Sequence, residues 1–203
     1  MRLQRVDVDA LWLLLFCGWA MAKPAPPELD EDCELNSIDT MHDFCCDLHD
    51  ESPHFSDCQM EWHEKIHYTT EQEEQTYMFC TAECTFNSTD FLGSNRQSLD
   101  LAAVREHLAS ELANDEDEAL LYQTYLQCDR HALSLLPHKG VKSLAKRMAR
   151  YGCHPYAGLV MECVANEMIL NCPAKRFHLT PQCVETRKQL RQCEQYLKYN
   201  PRS

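Results

Sequence analysis

Apolar positions recur at three- and four-residue spacing along most of this chain from Thr70 onward, which is helical rather than strand periodicity. Thr70-x-x-Glu73 carries capping-box chemistry at a helix start, and Tyr77, Phe79, Cys80 and Cys84 follow within it. Cys80 and Cys84 lie one turn apart on one face. Asn87-Ser88-Thr89, then Asp90 and Gly93, ends that segment. Ser98 is placed to cap a second helix reaching about Ala113, with Leu101, Val104, Leu108 and Leu112 as its apolar stripe. Asp115 to Glu118 put negative charge where a helix dipole favours it, at the start of a segment presenting Leu121, Tyr125 and Cys128. Lys142 to Arg150 reads as a basic amphipathic helix bearing Leu144, Ala145 and Met148. Pro155 fits the first turn of a helix carrying Leu159, Val160, Cys163, Val164 and Met168. Thr180-Pro181 opens a last helix through Cys183 and Cys193. Nothing alternates with period two, so the expected fold class is all-α, without internal repeats.

The N-terminal third is organised differently. Leu11 to Ala20 is a short apolar run behind Arg2 and Arg5, ending in the small-x-small triplet Ala20-Met21-Ala22. Residues 1–22 are therefore expected to be a signal peptide, too short to span a membrane. Residues 23–32 are proline-rich and then acidic, which predicts a flexible N-terminus. Residues 33–203 are expected to form one domain, with loops and short helices over its first part, residues 33–68.

The formal charge is −13. An acidic balance argues against nucleic acid as a partner and suits solubility in an extracellular fluid. Cleavage before Lys23 would remove Cys17 and leave 12 of the 13 cysteines: Cys33, Cys45, Cys46, Cys58, Cys80, Cys84, Cys128, Cys153, Cys163, Cys172, Cys183 and Cys193. An even count in a secreted chain implies a disulfide framework. Asn87-Ser88-Thr89 is also a glycosylation acceptor, and Asn87 falls at a helix end where a glycan can project.

Two motifs suggest chemistry and lack its context. His63-Glu64-Lys65-Ile66-His67 matches H-E-x-x-H, but Thr70 and Glu73 stand where the extended zinc motif needs Gly and His. No metal or other cofactor is expected. The stretch from Asp43 to Asp50, with His49 and Asp50, resembles the active-site helix of secreted phospholipases A2, and Cys128-Asp129-Arg130 faintly resembles a second segment of that family. In that family the histidine activates water and calcium sits in a glycine-rich loop. Residues 23–44 contain no glycine, and Ser52 replaces an expected cysteine. A degenerate lipase is the alternative reading; the preferred one is not an enzyme.

The full cysteine series is Cys80-x3-Cys84-x43-Cys128-x24-Cys153-x9-Cys163-x8-Cys172-Pro173-x9-Cys183-x9-Cys193. With the doublet Cys45-Cys46 and Pro53, it resembles the Plus-C subfamily of insect odorant-binding proteins; Phe177 stands near where that group often has tryptophan. The resemblance implies a compact, disulfide-linked helical carrier with an internal apolar cavity. It implies small hydrophobic ligands such as odorants or pheromones, secretion into sensory lymph or haemolymph, and a membrane chemoreceptor as candidate partner. It further implies Cys80–Cys163 and Cys153–Cys172 bridges, with Cys84 joined to Cys46 or Cys58. The helical stripes independently nominate cavity-wall residues: Tyr77, Phe79, Val104, Leu108, Leu121, Tyr125, Leu144, Met148, Leu159, Val160 and Met168. Solid core and cavity wall have the same sequence pattern, and oligomeric state is left open.

Overall fold

The computed structural model describes residues 45–47 and 54–199, with side chains through Cys193. Seven α-helices make up this part: α1 Phe55–Lys65, α2 Glu71–Ser88, α3 Leu101–Glu111, α4 Asp115–Leu135, α5 Lys139–Met148, α6 Tyr156–Asn171 and α7 Pro181–Tyr199. A 3-10 turn, Ala149–Tyr151, follows α5 and closes at Gly152, whose φ of 76° is the left-handed value glycine adopts without strain. Among the described residues there is no strand, only isolated bridges at Cys46/Phe177 and Leu92/Leu99.

Local chemistry accounts for the helix starts. Thr70 and Glu73 form the expected capping box on α2. Asn114 caps α4 by accepting from the Asp117 amide, with four carboxylates in the first turn. Asp100, rather than Ser98, caps α3, accepting from the amides of Ala102 and Ala103. Ser98 instead donates to Asn95 in the preceding loop.

The apolar content of α6 explains its central place. Tyr156, Ala157, Gly158, Leu159, Val160, Val164, Ala165 and Ile169 are all buried, a helix apolar nearly all round. It packs against α4 on one side and α2 on another, while α1 and α5 cover α2, α3 covers α4, and α7 lies on α6. A Cβ placed on Gly158 would stand 2.3 Å from the Phe79 ring, so glycine permits the close approach of α2 and α6.

The bridges correct the implied pairing. Cys80 joins Cys153, not Cys163, and Cys163 joins Cys128. Cys172 joins Cys46, not Cys153. Cys84 takes Cys58, and Cys45 takes Cys183. Cys193 is disulfide-bonded as well, while Cys33 lies outside the described residues. The reason is α6 itself. Cys153 and Cys172 flank its opposite ends, and a helix of 16 residues spans about 24 Å, far beyond disulfide reach. Cys163 lies five residues beyond Gly158, about 140° around the helix, and so faces α4 rather than α2.

Candidate ligand-binding core

The helical stripes converge. Tyr77 and Phe79 from α2, Val104 and Leu108 from α3, Leu121 and Tyr125 from α4, Leu144 and Met148 from α5, and Leu159 and Val160 from α6 are all buried in one apolar cluster. Met168 is half-buried and packs against its edge. Leu121 and Met168, with Leu120, Thr124, Glu167 and Asn171, also line a shallow crease between α4 and α6 that is too narrow to admit a water-sized molecule.

Periodicity missed several members of the cluster. Trp62 and Ile66 come from α1 and its C-terminal edge, where they continue a four-residue spacing from Cys58 that the many polar residues between them obscure. Phe91 and Leu99 belong to the loop between α2 and α3, where no helical period exists to mark them. Phe91 packs edge-on against Phe86, His107 and Tyr125. Tyr156, fully buried at the start of α6, was hidden by its place directly after Pro155.

Two carboxylates, the buried Glu83 and the half-buried Asp129, lock the α2–α3 loop onto this core. Glu83 of α2 accepts from the His154 amide at 2.8 Å and pairs with Arg96 of the loop at 2.8 Å. Burial pushes the Glu83 carboxyl up, opposed by the His154 amide and by Arg96. The His154 imidazole is pushed down by burial and by Arg96, and its Nδ1 accepts from the Tyr156 amide at 3.3 Å. Asp129 of α4 accepts from the Tyr156 hydroxyl and from the Leu99 amide. Burial and Asp129 together push the Tyr156 phenol up, so it stays a donor.

These contacts bear on the enzyme-like motifs. Asp129, the nominal orienting aspartate of the lipase resemblance, is engaged by Tyr156 and Leu99. His49 and Asp50 lie outside the described residues. Helix α1 ends at Lys65 and Ile66 is extended (φ −125°, ψ 101°), so His63 and His67 do not share the helical face that the zinc motif requires. Among the described residues, no three His, Cys, Asp or Glu side chains converge as a metal site. Asn87 is exposed in the last turn of α2.

A second, smaller cluster lies at the far end of α6, where Cys45, Cys46, Ile169, Cys172, Phe177, Cys183 and Leu190 are buried together. Arg187 of α7 donates to the Ile169 and Cys172 carbonyls at 2.7 and 3.2 Å, satisfying the end of α6, and its guanidinium stacks 3.4 Å from the Phe177 ring centroid.

Residues 48–189 match the protein-family model described as AgamOBP47-like. No curated protein and no solved structure matches the chain.

Proposed function

This chain belongs to the insect odorant-binding protein family, and from that premise we propose that it carries small apolar molecules in the interior bounded by α2, α4, α5 and α6. The observation that supports the reading best is the convergence of ten buried stripe residues from five helices on one cluster. Met148 sits at its centre with no exposed surface, and Met161 and Met168 lie at its edge. Thioether side chains reshape around guests of varied form. The cross-links hold the enclosing helices while the side chains between them yield. Binding without catalysis is the family's mode of action.

We further read the chain as a Plus-C member, secreted after removal of residues 1–22, with residues 33–203 as one ligand-binding domain. Odorants or pheromones are the proposed cargo, a membrane chemoreceptor a proposed recipient, and Asn87 a proposed glycan site. Displacement of a fluorescent apolar probe by a panel of volatiles and lipids tests the carrier reading. Saturable binding is expected, with Met148→Trp lowering probe affinity at least tenfold by filling the interior. Failure of any apolar probe to saturate on the folded protein would overturn the proposal. Calcium-dependent phospholipid hydrolysis, lost on His49→Ala, would favour the lipase reading instead.

A further inference from the structure

The segment His138–Tyr151 departs from the acidic balance of the rest of the chain. It holds Lys139, Lys142, Lys146, Arg147 and Arg150 and no carboxylate, in a protein of formal charge −13. Helical geometry arranges four of these cations. At 100° per residue, Lys139, Lys142 and Lys146 fall within about a quarter of the circumference of α5, and Arg150 continues the row in the 3-10 turn. The row is about 16 Å long at 1.5 Å per residue. All four side chains are exposed, and the exposed residues among them are small: Gly140, Ser143 and Ala149.

None of the four takes part in an ion pair or hydrogen bond among the described residues. Elsewhere among the described residues the exposed lysines are held: Lys65 by Glu61, Lys175 by Glu116 and Lys188 by Glu185. Arg147, half-buried at the edge of the row, donates to Gln75 of α2 at 3.0 Å and fixes α5 in place.

We propose that the outward face of α5 binds a sulfated polysaccharide of the glycosaminoglycan type. A single row of unpaired cations on a convex helix meets a partner along a line, and its charge complement is a linear polyanion. The face offers charge and small residues, without the aromatic anchors that sustain a protein–protein contact. It cannot insert into a lipid surface either, because Val141, Leu144 and Met148, the apolar side of α5, are buried in the core. Contact with the polysaccharide holds a carrier on a sulfated matrix and leaves its interior free for cargo.

The test is calorimetric titration of the oxidised chain with a heparin oligosaccharide of defined length. Binding is expected to fall roughly 50-fold between about 50 and about 200 mM salt, as for release of counterions from about four contacts. The combined Lys142→Ala, Lys146→Ala and Arg150→Ala variant should lose at least tenfold in affinity while keeping its helical circular dichroism. The combined Lys65→Ala, Lys175→Ala and Lys188→Ala variant, with as many charges removed, should lose less than twofold. Equal loss in both variants, or no binding at the lower salt, would overturn the proposal. So would tighter binding to phosphatidylserine vesicles or to polyglutamate than to heparin, which would assign the row to a membrane or to an acidic polypeptide.

Discussion

The two ends of α6 are stabilised by different means. Around its first half the core is aromatic and aliphatic, with Tyr77, Phe79, Phe86, Phe91, Tyr125 and Tyr156 among its buried members. Around its last turn, four of the seven buried residues are the cysteines Cys45, Cys46, Cys172 and Cys183. The bridges differ as well. Those in or beside the first cluster close sequence separations of 26, 35 and 73 residues, whereas Cys45–Cys183 and Cys46–Cys172 close 138 and 126. Burial of side chains from neighbouring helices suffices for the first. The second brings a segment from the start of the described chain to α6 and α7, and cross-links replace the apolar area it lacks. The larger cluster therefore rests on side-chain packing, and the smaller one acts as its clamp.

The largest test of this contrast removes both clamp bridges. With one present, the other closes only a short additional loop of about a dozen residues, so Cys45→Ser/Cys183→Ser alone should cost about 3 kcal/mol. Removing Cys46 and Cys172 as well enlarges the loop, which the Cys193 bridge still closes, and should bring the total to about 6–7 kcal/mol, more than twice the single loss. Denaturant unfolding of these two variants and of Cys46→Ser/Cys172→Ser alone measures this. Simple additivity would mean that the two bridges do not share a loop.

Next in size are matched truncations. Leu108→Ala in the first cluster should cost about 3–5 kcal/mol, and Leu190→Ala in the second about 2, because fully buried neighbours leave the larger cavity. Equal costs would remove the distinction between an apolar core and a cross-linked clamp.

The smallest expected effect lies where the two clusters meet. Glu162 shares a stripe of α6 with Gly158, which abuts Phe79, and Ile169, a member of the second cluster. It is half-buried, has no ion-pair or hydrogen-bond partner among the described residues, and burial pushes its carboxyl up to about 7 from 4.5. Between those values the native chain holds this proton more tightly than the unfolded chain does. The group's contribution therefore favours folding at low pH and turns against it as pH rises through about 7. Glu162→Gln should stabilise the protein by on the order of 1–3 kcal/mol at about pH 8, with the gap closing toward about pH 4. Unfolding midpoints across pH decide it; a constant gap would show that the carboxylate is solvated.

Much of the candidate core was legible because a helix repeats its buried side every three or four residues. Val104 and Leu108, or Leu121 and Tyr125, announce themselves this way, and Thr70 and Glu73 announce a cap. Phe91 and Leu99 did not, since loop residues are buried by what closes over them rather than by a period. The bridges implied by resemblance failed at Cys153 and Cys172 even though the helix between them was readable, and its length alone forbids that bond.

The sequence by itself thus determined the helical class, the family, and which faces turn inward, because these follow from local periodicity, capping and cysteine spacing. Only the tertiary structure decided which cysteines meet, that Asp100 rather than Ser98 starts α3, and that Glu83 and Asp129 pin a loop to the core. Those outcomes depend on how α6 lies between α2 and α4, and residues distant in sequence choose partners only once that packing sets their separations.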